Sequence, residues 1–169
     1  ESGDAYLTPE SAAIYARECA AGRAPVTMAN AERAILSRLR TMREEELAAY
    51  DGGGEGLYHR VYRAIERETG VEEILNAAKS KRYAHARLRR LLLSAFLDVR
   101  TGELPERMPY LRVLACNARG REVLRKMKKT AVVPILTKSA DVRRLDADAQ
   151  ALFALTARAA EEYVLAYPS

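Results

Sequence analysis

Apolar residues recur three and four positions apart along most of this chain, and this spacing constrains the fold more than any other feature. Ile35, Leu39 and Met42 show the spacing in one segment, and Leu88 and Leu92 show it in another. Residues at these intervals share one face of an α-helix. An aromatic content of 7% and a charged content of 30% are typical of the same class. The sequence therefore predicts a mostly α-helical fold that buries one stripe of each helix.

Proline and glycine residues divide this pattern into short helices. The predicted helices cover residues 9–21, 31–42, 55–69, 71–78, a segment after 79–82 that ends near 99, 118–129 and 146–166. Asn30, Asn117 and Asp146 are the predicted N-caps. The three glutamates at 44–46 are interpreted as a solvated turn. Two helices have predicted buried stripes, formed by Val123, Leu124 and Met127 and by Leu152, Leu155, Ala159 and Tyr163.

Two short β-prone runs flank the helix predicted at 118–129. Residues 110–116 form the first run and residues 132–136 the second. Strand, helix and strand in this order are typical of a small βαβ unit. We therefore expect a helical domain with a two-stranded βαβ element near residues 110–137.

The strongest break is the run Asp-Gly-Gly-Gly at 51–54, which either acts as a hinge or forms a loop. It predicts an N-terminal helical segment at 1–50 and a helical C-terminal domain at 51–169. The chain begins with Glu1 rather than Met. We expect it to be a piece of a longer protein.

Cationic side chains concentrate at residues 79–90, called here the first basic cluster, with Lys79, Lys81, Arg82, Arg87, Arg89 and Arg90. The cluster spans the start of a predicted helix, where free N–H groups attract anions but added cations oppose the dipole. Phosphates would bind both the free N–H groups and the cations, and Tyr83 could stack on an unpaired base. The alternative is a solvated helix face on which Arg87 and Arg90 pair with acidic neighbours.

The second basic cluster covers residues 119–129, with Arg119, Arg121, Arg125, Lys126, Lys128 and Lys129. Arg121, Arg125 and Lys128 fall on one helix face. Lysines at the C-terminal end of a helix also complement its dipole, so ordinary helix design explains part of the cluster. A net charge of +5 is compatible with a polyanionic partner.

Several site classes find little support in the sequence. Cys19 and Cys116 have no nearby ligand partners, and we expect no metal site and a reducing cytoplasm as the location. His59 and His85 lack a triad pattern, and the glycine run lacks the Gly-Lys-Ser/Thr ending of a phosphate-binding loop. No apolar run reaches 18 residues, so no membrane span is expected. We predict no catalytic residue in this segment.

The motif KSKRY at 79–83, followed by ARLRRLLL at 86–93, resembles the C-terminal region of bacterial tRNA(Met) cytidine acetate ligases. Further matches follow the family order: AIL at 34–36 with LRTM at 39–42, EGL at 55–57 with Arg60, PYLRVL at 109–114 with Asn117, Gly120 and Leu124, and PILTK at 134–138. These matches cover roughly residues 31–138. Ser80 and Ala84 replace expected threonines, and Ala115-Cys116 replaces Gly-Phe.

The resemblance implies an enzyme that uses ATP to form acetyl-adenylate and acetylates N4 of the wobble cytidine in elongator tRNA(Met). The family's ATP site lies in an N-terminal nucleotidyltransferase domain with a HIGH-like motif, absent from this chain, so no cofactor is expected in this segment. That domain and the tRNA are the implied partners. The residues expected to bind RNA are Lys79, Lys81, Arg82, Tyr83, Arg87, Arg90, Arg121, Arg125 and Lys128. Arg112, as a buried donor, and Asn117, as a helix cap, fit structural roles.

Two other classes stay open at this stage. One is a self-sufficient transferase that uses His85 or the arginines, and turnover by this chain alone would support it. The other is a helical protein-interaction or structural domain without an RNA role, in which the charges only confer solubility. The last predicted helix would then serve a homo-oligomer or the N-terminal domain.

Overall fold

A computed structural model describes residues 6–52 and 55–168. The structure is 60% helical with one small parallel sheet, which confirms the predicted fold class. The helices are α1 (Pro9–Ala20), α2 (Glu32–Arg40), α3 (Glu44–Ala48), α4 (Leu57–Arg67), α5 (Val71–Ala78), α6 (His85–Leu97), α7 (Ala118–Thr130) and α8 (Ala147–Leu165), with a 3₁₀ helix at Ser139–Arg144. The strands are β1 (Leu111–Arg112) and β2 (Ile135–Leu136).

The chain forms two compact units. The first unit comprises Glu1–Thr101 and Ala159–Ser169, and the second comprises Gly102–Arg158. Helix α8 therefore begins in the second unit and ends in the first. Each unit has its own cluster of buried apolar side chains.

The core of the first unit forms where α2, α4, α5 and α6 pack against one another. Ile35 and Leu39 of α2, Leu57 of α4, Ile74 of α5 and Leu92 of α6 are all at most 1% exposed. The helical spacing in the sequence places these residues on the inner faces. Burial of side chains this size stabilises the unit by about 1.5–3 kcal/mol each.

The predicted boundary after residue 50 does not separate two compact units. Leu47 and Tyr50 are buried in the same cluster as Leu57 and Leu92. The chain before the glycine run and the chain after it therefore contribute to one core. The run marks a local break in regular structure, and its residues 53 and 54 lie outside the described residues.

The second unit contains the predicted βαβ element. Strands β1 and β2 pair in parallel, with Leu111 opposite Ile135, and α7 connects them. Two predicted caps are confirmed: Asn117 accepts a hydrogen bond from the amide of Gly120 at 2.8 Å, and Asp146 accepts one from the amide of Ala149 at 2.8 Å. A small cluster of Tyr110, Leu136, Leu145 and Ala149 forms the buried core of this unit.

Other local predictions are wrong. Asn30 does not cap α2, because its side chain accepts hydrogen bonds from the amide and hydroxyl of Thr27. The glutamates at 44–46 begin helix α3, where Glu46 accepts a hydrogen bond from the amide of Arg43 and so satisfies a free N–H group. Carboxylates in a first helical turn also complement the helix dipole.

The predicted inner stripes of α7 and α8 are only partly covered: Leu124, Leu152, Leu155 and Ala159 are half-buried, and the other three members are exposed. Val123 is 50% exposed, Met127 39% and Tyr163 53%. The periodicity correctly identifies an apolar face, but it does not show whether another element covers that face. A sheet of two short strands offers too little surface to bury a helix of this length. In the described part of the chain, no helix is long and apolar enough to span a membrane.

Candidate nucleic-acid interface

The start of the first basic cluster is held by an arginine from another helix. Arg60 of α4 donates hydrogen bonds to the carbonyls of Ala77, Ala78 and Lys79 at 3.3, 2.7 and 3.2 Å. These carbonyls lie at the end of α5, where the last C=O groups have no partner within the helix. Arg60 thus fixes the point at which the loop toward α6 begins. The sequence indicated Arg60 only through the family motif, because the contact joins residues that are distant in the chain.

Tyr83 is a buried anchor of this loop. The residue is 8% exposed, and its hydroxyl donates to the carbonyl of Glu55 at 3.1 Å. The guanidinium carbons of Arg82 and Arg87 lie 5.6 and 5.3 Å from the ring centroid, within the range of cation–π contacts. Stacking on a base requires an open ring face, and little of this ring is open. The predicted stacking role of Tyr83 therefore disagrees with its position, and the tyrosine instead positions Arg82 and Arg87.

Arg87 is engaged by acidic side chains. It pairs with Glu55 at 3.0 Å and with Asp51 at 3.4 Å, and Arg82 approaches Glu55 at 3.4 Å. Hydrogen bonds from Arg87 and then Arg82 lower the pKa of the Glu55 carboxyl below its usual value. The side chain of Asp51 is only 3% exposed. Much of the positive charge at this end of α6 is therefore balanced within the chain.

The remaining cations of the first basic cluster differ in whether they pair with acidic side chains. Arg89 pairs with Glu72 at 3.2 Å. Lys79, Lys81 and Arg90 are exposed, and no acidic side chain of the described residues lies within 4.0 Å of any of them. The alternative that these arginines pair with acidic neighbours thus holds for Arg87 but not for Arg90.

A polar cavity of about 380 Å³ lies beside these residues in the first unit. Arg87 and Arg90 line it together with Asp51, Glu55 and Thr101. Two carboxylates face two guanidinium groups there, so the cavity has little net charge. Its chemistry favours internal ion pairing over the capture of a highly charged anion.

The second basic cluster is open to solvent. The six cations of α7 are all exposed, and among the described residues none has an acidic partner within 4.0 Å. At about 100° per residue these six side chains occupy one half of the helix circumference, together with Glu122. The positive field of α7 is therefore not neutralised by ion pairs in the described part of the chain.

Lys128 has the most contacts of the six. Its ammonium group donates to the hydroxyl of Thr137 at 3.2 Å. The nearby Asp141 carboxyl is held by the amides of Thr137 and Lys138, which lower its pKa, and the charge of Lys128 adds to this effect. Lys128 therefore contacts the segment after β2, while Arg121 and Arg125 make no such contact with the described residues. These three predicted site residues lie on one helix, as the spacing indicated.

Arg112, a further residue of the family motif, is exposed rather than buried. Its guanidinium carbon lies 4.9 Å from the ring centroid of Phe153. The expected role as a buried donor is therefore wrong, because a two-residue strand at the surface cannot enclose the side chain. The contact covers one face of the Phe153 ring.

The histidines form no catalytic constellation in the described residues. The Nδ1 atom of His59 lies 2.7 Å from a carboxylate oxygen of Glu44, and both side chains are partly or fully exposed. Nδ1 of His85 is buried without a hydrogen-bond partner among the described residues. Cys19 and Cys116 are free thiols, and no described group of three His, Cys, Asp or Glu residues could hold a metal ion.

Comparisons with known proteins place these features in a family. The HIGH nucleotidyl transferase family matches residues 2–169. A tRNA(Met) cytidine acetate ligase of Kosmotoga olearia is 36% identical over 140 residues, which make up 80% of this chain and 33% of that protein. The corresponding ligase of Clostridium kluyveri is 38% identical over 88 residues, or 50% of this chain and 22% of that protein.

A solved structure shows the same similarity. The crystal structure of Thermotoga maritima TmcAL bound with alpha-thio ATP superimposes with a TM-score of 0.89 at 27% identity, covering 96% of this chain and 43% of that chain. The chain spans about a third of the length of the curated relatives it matches. These matches confirm the resemblance seen in the sequence motifs. The chain belongs to the HIGH nucleotidyl transferase family.

Proposed function

We propose that this chain is the tRNA-binding C-terminal part of an ATP-dependent ligase. The whole enzyme would activate acetate as acetyl-adenylate and acetylate N4 of the wobble cytidine in elongator tRNA(Met). The observation that carries the proposal is a set of six exposed cations on α7 that form no ion pair with the described residues. The relatives of the chain are named tRNA(Met) cytidine acetate ligases. A tRNA substrate implies the cytoplasm as the place of action.

The physical reason is the polyanionic nature of RNA. Unpaired lysine and arginine side chains lose no internal ion pair when they contact phosphates, and each contact releases condensed counterions. Lys79, Lys81 and Arg90 supply further cations in the first unit that have no acidic partner among residues 6–52 and 55–168. These three, with Arg121, Arg125 and Lys128, are the proposed RNA contacts. Arg82 and Arg87 are secondary contacts, because Glu55 and Asp51 already engage them.

We expect no ATP site in this segment. In the polar cavity nearest to the glycine run, Asp51 and Glu55 balance the charges of Arg87 and Arg90 and leave little net positive charge to attract a triphosphate. We therefore assign ATP binding and acetate activation to an N-terminal nucleotidyltransferase domain of the longer protein. That domain is the proposed protein partner of this segment.

Binding of the chain to RNA tests the proposal directly. Elongator tRNA(Met) transcript would be titrated over a salt series, with initiator tRNA and duplex DNA as comparators. We expect preferential binding of tRNA with a steep loss of affinity as salt rises. The variant Lys79→Gln with Lys81→Gln should bind more weakly, whereas Arg107→Gln with Arg143→Gln removes two exposed cations elsewhere and serves as the control. Equal, weak binding to all three nucleic acids would contradict the proposal.

A protein-interaction or structural role is the alternative, and exposed apolar side chains favour it. Leu114 is 86% exposed, Val132 is 100% exposed, and Ile14 of α1 is 52% exposed. Exposed apolar side chains on either unit supply contact area for another domain or a second copy. If tRNA binding fails, sedimentation of the chain alone would show whether it forms a homo-oligomer.

A further inference from the structure

The cationic half of α7 has the chemistry of a surface that contacts the backbone of double-helical RNA. We propose that it docks on a base-paired stem and does not read unpaired bases, an inference that rests on the proposed tRNA-binding function. Arg121, Arg125 and Lys129 follow one another at successive helical turns along this surface. One turn rises about 5.4 Å, so the three charges form a row along the helix.

The second unit offers no exposed aromatic ring for base stacking in its described residues. Tyr110 is 6% exposed, and Phe153 is partly buried beneath Arg112. The large exposed tyrosines of the chain, Tyr6, Tyr15 and Tyr163, all belong to the first unit. Recognition of single-stranded loops depends on aromatic or guanidinium planes on which splayed bases stack, and aromatic planes are missing from this surface.

The two carboxamide side chains of the second unit, a type that can read base edges, already make internal hydrogen bonds. The second unit has two carboxamide side chains, Asn117 and Gln150. The oxygen of Asn117 accepts the amide of Gly120, and the nitrogen of Gln150 donates to the carbonyl of Leu145 at 2.7 Å. Both groups stabilise the chain itself. On α7 the exposed polar side chains are mostly cationic, and lysine and arginine bind phosphates whatever the base sequence.

These properties match what an RNA helix displays. The major groove of A-form RNA is too deep and narrow for side chains to read, and recognition relies on phosphates and 2′-hydroxyls. A row of unpaired cations on a rigid helix suits phosphates that are held in fixed positions by base pairing. The structure thus assigns α7 to a stem, and any recognition of the wobble base to other parts of the enzyme.

The test compares three RNAs: elongator tRNA(Met), a blunt RNA duplex without loops, and a single strand of the same length. The variant Arg121→Gln, Arg125→Gln, Lys129→Gln removes three exposed cations that make no ion pair in the described structure. The control Arg33→Gln, Arg63→Gln, Arg67→Gln makes the same charge change on α2 and α4, where these side chains are also exposed and unpaired. Circular dichroism would verify that both variants are folded.

We expect the wild-type chain to bind the duplex and the tRNA better than the single strand. The α7 variant should weaken binding of the duplex and of the tRNA by at least about tenfold. It should also reduce the slope of log affinity against log salt by about 3, because each lost phosphate contact lowers that slope by about one. The control variant should retain most of the affinity.

Two results would overturn the inference. One is tRNA binding that the α7 variant leaves unchanged, which refutes the stem contact but not the proposed function. The other is a preference for the single strand over the duplex that the same variant abolishes. Absence of tRNA binding by the wild-type chain would refute the proposed function together with the inference.

Discussion

Arg87 in the first unit and Arg125 in the second belong to equally basic segments, yet their surroundings differ. Arg87 lies over the ring of Tyr83 and contacts Glu55 and Asp51, whereas Arg125 is exposed without an acidic neighbour within 4.0 Å in the described part of the chain. The apolar residues show the same contrast. Leu92 of α6 is fully buried, and Val123 of α7 is half exposed. Local composition therefore does not distinguish structural cations from available ones, and the residues packed around them do.

The largest expected effect concerns the core of the first unit. Leu92→Ala should lower the free energy of unfolding by about 2–5 kcal/mol, because a fully buried leucine leaves a cavity when it is truncated. Leu124→Ala in the partly covered α7 makes the same chemical change and should cost less than about 1.5 kcal/mol. Urea denaturation followed by circular dichroism measures both. Equal losses of unfolding free energy in the two variants would show that the second unit is packed as tightly as the first.

A smaller effect is expected at the start of α7. Asn117→Ala removes the side chain that accepts the amide of Gly120, and it should destabilise the helix by about 1 kcal/mol. Amide hydrogen exchange of α7 reports this loss locally. Asn117→Ser retains a capping oxygen and should preserve most of the protection. Unchanged exchange in the alanine variant would mean that packing, rather than the cap, holds this helix end.

The acidic residue within the cationic half of α7 gives a prediction of opposite sign. Glu122→Gln should strengthen tRNA binding by about two- to fivefold at low salt, because it removes the single negative charge of that helix. Glu66→Gln on α4 changes the net charge equally and should have less effect. Fluorescence anisotropy with labelled tRNA measures both. If the two variants behave alike, only the total charge matters and α7 has no special role.

The smallest expected effect concerns the ion pairs that Glu55 forms with Arg87 and Arg82 in the first unit. Hydrogen bonds from Arg87 and Arg82 lower the pKa of Glu55 below its usual value in the folded chain. The ion pair therefore stabilises the fold above the unfolded pKa, and this contribution is lost as the pH falls through the lower folded pKa. Arg87→Gln should move the pKa of Glu55 back toward its usual value, as followed by carboxyl NMR. Arg121→Gln is the control and should leave it unchanged.

Sequence patterns predicted much of the local structure because they depend on neighbours a few positions apart. The βαβ element, α5 at Val71–Ala78 and the caps at Asn117 and Asp146 all follow from such short-range chemistry. The family resemblance was also present in short motifs, and the comparisons confirm it.

Contacts between distant residues could not be predicted in this way. Tyr83 reaches the carbonyl of Glu55 across 28 positions, and Arg87 reaches Asp51 across 36. A single sequence shows that Tyr83 is aromatic and that Arg87 is cationic, but not what either one packs against. The unit boundary at Thr101 was missed for the same reason, since it depends on which helices share a core.

The exposure of the α7 cations has a kinetic consequence. Long cationic side chains without fixed partners attract an anionic ligand from a distance and so accelerate encounter. They must also give up rotational freedom when they bind, which costs up to about 2 kcal/mol for each side chain. A surface of this kind is suited to rapid capture and equally rapid release, and its residence times should shorten as ionic strength rises.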